Sequence, residues 1–263
     1  MRDSALVVLL LAAAGCDSAP AATEPFSDAA IAALGAFDDE DPDTLVRAFE
    51  QLEGETFDQV DPTAADFTKR ALTPHDLAAA DVEGLTRPDR DPALTLPVAL
   101  AWLSPHPVAE HDRIVMVADQ VGIEPFADSY TRTFLDGHDC YPDTCAFLRT
   151  SNEMVKDNPE MTVPFTLKKD WRAFALSDGR PARASRGWME EGADSTTNAD
   201  RIEQSFAIEL WVEQEDGTTL RLLVLWAETT FESPQDETLV AWTTELGMNE
   251  LFQNHDGWIV DNG

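Results

Sequence analysis

The chain has 263 residues, 43% of them hydrophobic, and a formal net charge of −32 from 50 acidic and 18 basic side chains. The apolar fraction supports a packed core and excludes a disordered chain. The charge repels nucleic acid and anionic head groups, and because the acids are spread along the chain they read as a solvated surface rather than a cation-binding device.

The amino terminus comes first. Ala5–Ala14 is an uncharged run of ten residues, about half the length that spans a bilayer. It suits the apolar region of a signal peptide. The residues that follow, Ala13-Ala14-Gly15-Cys16, resemble the lipobox of bacterial lipoproteins, with Ala13 where that family usually has leucine. The resemblance implies cleavage before Cys16, acylation of its thiol and of the new amine, and a lipid bilayer as partner. It divides the start of the chain into a signal peptide over 1–15 and a lipidated cysteine with a flexible tether over 16–26. It also implies a place in the cell envelope, on the periplasmic face or the outer surface. Two or three acyl chains are needed for lasting attachment, since one holds only marginally.

A helical region is expected over 27–90. Asp41-Pro42, Asp61-Pro62 and Thr73-Pro74 each place a capping oxygen before a proline, the arrangement that opens a helix. Leu45, Phe49 and Leu52 recur at helical spacing, with Gly54 as a stop; Ser27–Phe37 and the run PHDLAAADVEGL read as further short helices. Thr86–Pro92 (TRPDRDP) resists regular structure and marks a boundary.

Over 91–263 the pattern changes to strands. Expected strands cover 94–103, 113–118, 129–135, 145–150, 161–167, 171–176, 180–189, 204–214 and 218–231. Cys140 and Cys145 flank Pro-Asp in the segment HDCYPDTC. They are expected to form a disulfide, because the spacing is not that of a C-x-x-C redox motif and no second pair completes a zinc site. The last two strands flank Glu215-Asp216-Gly217. A three-residue turn there, with Gly217 left-handed, pairs Phe206, Ile208, Leu210 and Val212 with Trp226, Val224, Leu222 and Leu220 and groups eight large apolar side chains on one face. The other face pairs Trp211 with Arg221, a cation–π geometry. Glu209, also on that second face, is expected to tolerate truncation. Ser233 and Pro234 open a final helix in which Leu239, Trp242 and Leu246 form one apolar line, with Gly257 as a stop.

The fold class is therefore α+β: an N-terminal helical segment, a mostly antiparallel curved sheet and a long C-terminal helix. This order, over 92–260, resembles the helix-grip architecture of START-like ligand-binding domains. The resemblance implies a cavity between sheet and helix. Laying the final helix over the eight-residue face makes Phe206, Leu210, Leu222, Trp226, Trp242 and Leu246 the candidate lining of that cavity.

Catalytic signatures are absent: there is no G-x-S-x-G, H-E-x-x-H, G-x-x-x-x-G-K-[ST] or G-x-G-x-x-G. His106 and His111 lie five apart, off one helix face, and His138-Asp139 sits in the cysteine loop. The acidic runs Asp38–Asp43 and Glu190–Asp200 lack the spacing of a calcium loop. No catalytic residue, metal site or cofactor is assigned. The expectation is an envelope lipoprotein that binds an apolar small ligand or an envelope protein partner. The alternative is an envelope hydrolase with dispersed catalytic residues.

Overall fold

A computed structural model describes residues 24–38, 41–61, 67–72, 74–85, 90–158 and 161–263. The lipobox, Cys16 and the tether up to residue 23 lie outside the described residues, as do residues 62–66, Thr73 and most of the 86–92 boundary.

Two helices come first, α1 (Glu24–Gly35) and α2 (Pro42–Gln59). Asp41 caps α2, its side chain accepting from the Asp43 amide, with Pro42 in the first turn where no amide is missed. Gly54 does not stop α2, which runs on to Gln59 and buries Leu45, Phe49, Leu52 and Thr56 along one stripe. The segment PHDLAAADVEGL forms only a 3-10 turn over Ala79–Val82. The N-terminal region also contributes a strand, β1 (Lys69–Leu72).

The remaining strands are β2 (Leu96–Ser104), β3 (Ala127–Asp136), β4 (Phe147–Asp157), β5 (Thr162–Ala175), β6 (Pro181–Trp188), β7 (Ala193–Asp194), β8 (Arg201–Glu213) and β9 (Thr219–Thr230). They form one antiparallel sheet in the order β1-β2-β9-β8-β6-β5-β4-β3, with β7 paired to β8. The two strands expected over 161–176 are a single one, β5, because its charged middle finds partners: Lys168 meets Ser151 on β4, Asp170 meets Arg186 on β6, and Lys169 reaches Glu209 on β8. The expected strand 113–118 does not form: its first three residues end a helix, α3 (Val108–Val115), which buries Val108, His111, Ile114 and Val115 at helical spacing. The last helix, α4 (Glu237–Asn262), is capped by Asp236 rather than Ser233 and passes through Gly257 without stopping.

The β8–β9 hairpin has the expected register, Leu210 opposite Leu222 and Val212 opposite Leu220. Gly217 holds φ at +84°, and the Gln214 amide donates to the Thr218 carbonyl at 2.8 Å. What covers this face is different from the expectation. Phe206, Ile208, Leu210, Val212, Leu222, Val224 and Trp226 pack against Phe26, Ala29, Ala30, Ala33 and Leu34 of α1 and Phe49 and Leu52 of α2. The N-terminal helices thus share one core with the sheet. Helix α4 lies on the opposite face, where Met248 and Phe252 meet Val98, Leu100 and Leu223. The physical reason is competition: α1 and α2 carry wide apolar stripes, while α4 can use the second apolar row of β2 and β9.

Candidate functional site

The face beneath α3 and α4 is built from the alternate residues of the same strands. One row across the sheet reads Trp102, Arg221, Trp211, Arg183. The next reads Leu100, Leu223, Glu209, Ser185, Trp171, Leu148. A third places Leu225, Ala207, Gly187 and Lys169 side by side. Helix α3 covers Trp171 and Trp211 with Val108 and Val115, and α4 brings His255 and Asp256.

The result is a buried polar cluster. Lys169 Nζ donates to Glu209 Oε1 at 2.8 Å and lies 4.4 Å from the Trp171 ring centroid. Arg221, wholly buried, is held between Trp211 and Phe252, 5.1 and 4.2 Å from their centroids, so the expected cation–π pair is present. Its Nη2 donates to His255 Nδ1 at 2.8 Å. Ser104 Oγ donates to Asp256 Oδ1 at 2.6 Å, and Trp102 Nε1 donates to Asp256 Oδ2 at 3.0 Å, which ties α4 to β2. His111 Nε2 stands 3.0 Å from Ser104 Oγ. Since that hydroxyl gives its proton to Asp256, His111 Nε2 is the donor and Nδ1 is left as an acceptor.

Electrostatics follow from burial. Desolvation holds His111 and His255 well below the usual histidine value, and the Arg221 charge beside them adds to the effect. Desolvation also lowers Arg221 to about 10, against the opposing pull of Glu209 and Asp256. Both imidazoles are neutral at pH 7. Arg132, buried on β3, donates to the Asn152 side chain and to the carbonyls of Ile114 and Val115, where its charge complements the end of α3.

Eight buried side-chain atoms on this face have no hydrogen-bond partner among the described residues: seven in the cluster, Trp171 Nε1, Ser185 Oγ, Glu209 Oε2, Trp211 Nε1, Arg221 Nε and Nη1, and His111 Nδ1, and Tyr141 Oη in the cysteine loop beside Trp171. Buried polar atoms in native proteins are nearly always paired, and each orphan costs about 1–3 kcal/mol. A cluster of this size is unusual for the interior of a native protein. In this closed arrangement none of the seven is open to solvent.

In sequence the chain matches no known protein family and no curated protein. Its fold is similar to a START superfamily protein from Mycobacterium smegmatis, at 11% identity over 64% of this chain and 99% of that chain, with a TM-score of 0.43. It is similar to a STAR-related lipid transfer protein from Xanthomonas axonopodis, at 9% identity over 74% and 96%, TM-score 0.45. It is also similar to the Zhui aromatase/cyclase of a Streptomyces species, at 11% identity over 63% and 93%, TM-score 0.41.

The candidate residues from the sequence are not brought together. Phe206, Leu210, Leu222 and Trp226 sit under α1 and α2 in a filled core, and Trp226 Nε1 is satisfied by the His75 carbonyl at 2.8 Å. Trp242 and Leu246 lie on the other side of the sheet and face solvent, 54% and 43% exposed. The six therefore line no common cavity. Glu209, expected to tolerate truncation, is buried and paired with Lys169. Cys140 and Cys145 are joined as expected, and their loop packs by Tyr141 and Cys145 against Leu148 and Trp171. The residues that sequence reasoning missed are Lys169, Ser185, Glu209 and Arg221. Their signal was a charge or hydroxyl in the middle of strands whose neighbours are bulky and apolar.

A concavity of about 290 Å³ opens on the α1–α2 face and is lined by Leu85, Leu135, Arg149, Lys168, Arg186 and Trp188. Its cations already meet acids: Arg149 and Arg186 both bond Asp170, and Lys168 lies 3.7 Å from Glu190.

Proposed function

We propose that this chain is a binding module for a small amphipathic molecule taken on the α4 face. The polar end of the ligand lies among Lys169, Glu209, Arg221 and the two indoles, and its apolar part runs along Leu167, Ala207 and Leu225, which are half-buried. The observation that supports this is the cluster of seven unpartnered polar atoms. Left unmet, they would cost on the order of 10 kcal/mol, as much as the whole stability of a typical domain.

Entry requires α4 to shift. All of its buried side chains, Met248, Phe252, His255 and Ile259, lie from its twelfth residue onward. The first half, up to Gly247, buries none fully and packs through partly buried residues such as Ala241, and a three-turn helix so lightly packed is marginal in water. Lifting that half opens a path from Leu225 and Ala207 toward the Lys169–Glu209 pair. A binding role also suits the chemistry better than hydrolysis. The Ser104, His111 and Asp256 side chains do meet, but the serine proton is given to the carboxylate and Ser104 is wholly buried.

The reading includes tethering to the cell envelope through acylated Cys16. Replacing Cys16 with serine should move the protein from the membrane fraction to the soluble one. Membrane retention of that variant, with an unmodified cysteine in the wild type, rejects the anchor. For the binding reading, native mass spectrometry of the purified chain should reveal a bound small molecule. A ligand-free mass, together with unmoved Trp171 and Trp211 indole resonances across a panel of amphiphiles, rejects it.

A further inference from the structure

The unmet atoms are not evenly divided. Four are donors only: Trp171 Nε1, Trp211 Nε1, and Nε and Nη1 of Arg221. Ser185 Oγ can act either way. Two are acceptors: Glu209 Oε2 and His111 Nδ1. The charges lean the same way. Arg221, Lys169 and Arg132 all act on the His255 position, while Glu209 and Asp256 act on Arg221. Asp256 is engaged by Trp102 and Ser104, one Glu209 oxygen is engaged by Lys169, and Arg132 is engaged by Asn152, Tyr130 and the α3 carbonyls. What remains is a buried guanidinium whose hydrogen bond goes to a neutral imidazole. A buried charge is costly until an opposite charge and hydrogen bonds meet it.

From this balance, and resting on the binding reading above, we infer that the ligand carries a carboxylate, held by Arg221 and the indole N–H groups of Trp171 and Trp211. A carboxylate has two oxygens that only accept, and its bonds to charged donors are the strong kind. A neutral hydroxyl would meet one donor and one acceptor and leave Arg221 without an anion in hydrogen-bond contact. A cationic head would find Glu209 and His111 but would face three cations. The site selects against the protein's own field: a chain of net charge −32 offers anions no general attraction. Binding should therefore not weaken as salt is raised from about 0.05 to about 0.3 M, as a surface ion-pair association would.

The test is a matched series of dodecanoate, dodecanol and dodecyltrimethylammonium, titrated into the full chain by calorimetry and by indole NMR. Dodecanoate should bind at least tenfold tighter than dodecanol and shift the Trp171 and Trp211 indole protons. Arg221→Gln should abolish that preference. Because a buried arginine variant can fail to fold, Trp171→Phe and Trp211→Phe provide the second arm. Each keeps the ring, removes the N–H and should reduce the preference several-fold. Equal binding of dodecanoate and dodecanol overturns the carboxylate inference while leaving the binding reading standing. So does tighter binding of the ammonium, or a carboxylate preference untouched by the two tryptophan variants. Failure of all three ligands to bind rejects both readings. A crystal structure showing ordered water on all seven atoms, with no affinity for dodecanoate, overturns the inference as well.

Discussion

Strands β8 and β9 send equally buried side chains to two faces with opposite chemistry. Toward α1 and α2 go Phe206, Ile208, Leu210, Val212, Leu222, Val224 and Trp226, each 1% exposed or less, and the one polar atom among their side chains is hydrogen-bonded. Toward α3 and α4 go Glu209, Trp211 and Arg221, also buried and only partly satisfied. Burial alone does not distinguish a core from a site. Satisfaction separates these two sets of residues: the seven under α1 and α2 need no further partner, and Glu209, Trp211 and Arg221 do.

The largest test of that contrast is Leu210→Ala. The site is filled from both sides, so the cavity cannot readily collapse, and the loss should be about 2–5 kcal/mol in a urea melt. Any ligand preference of the α4 face should survive in the folded fraction. A loss below about 1 kcal/mol would mean that the α1–α2 face is not the tightly packed one.

The opposite face should declare itself through pH. His111 and His255 have pKa values lowered by burial and by Arg221. The unfolded chain protonates both near pH 6.5, whereas the folded chain does not. Above that pH they contribute nothing to the slope. Below it, the unfolded state binds up to two more protons, and stability should fall by about 2.7 kcal/mol per pH unit. The window to measure is pH 6.5 down to about 5, before most carboxylates titrate. His255→Gln should roughly halve the slope. A flat stability across that window contradicts the buried neutral pair.

Much of the first face was legible in the sequence, and the site was not. The register of the hairpin followed from one-face burial, because only a three-residue turn groups Phe206–Val212 with Leu220–Trp226 at alternate positions. The turn residue Gly217 and the helix-opening Asp41-Pro42 were likewise local signals. Which helix covers which face is a different kind of fact. Helix α4 presents apolar residues on more than one side, Leu239, Trp242 and Leu246 on one and Met248, Phe252 and Ile259 on another, and only competition with α1 and α2 decides between them. The site was hidden for a related reason. Lys169, Ser185, Glu209 and Arg221 come from four strands, and no spacing within one strand shows that the sheet will align them.

A smaller effect is expected at the loop that flanks the site. The Cys140–Cys145 bridge has a sequence separation of 5, and closing so short a loop removes little denatured-state entropy, about 2 kcal/mol by the chain-entropy relation. The double serine variant should unfold at correspondingly lower urea. Because Tyr141 and Cys145 pack against Leu148 and Trp171, its readout beyond stability is the Trp171 indole resonance. That signal should shift, while the Trp226 indole on the other face should not. Equal shifts at both would mean that the two faces are coupled more tightly than their packing implies.

The smallest effect is expected where the sequence placed a core. Leu239, Trp242 and Leu246 are 47%, 54% and 43% exposed, and on a helix they fall on the side away from Met248, Phe252, His255 and Ile259, the residues by which α4 meets the body. Trp242→Ser should change stability by no more than about 0.5 kcal/mol, since no buried contact is lost. By contrast Phe252→Ala removes a wholly buried ring that touches Trp102 and Arg221, and it should cost about 3–5 kcal/mol. The pair therefore reports which side of α4 faces the sheet. If Trp242→Ser proved as damaging as Phe252→Ala, α4 would have to be turned by roughly half a revolution. The tie from Asp256 to Trp102 and Ser104 would then be broken, and the polar cluster beneath the helix would no longer be closed.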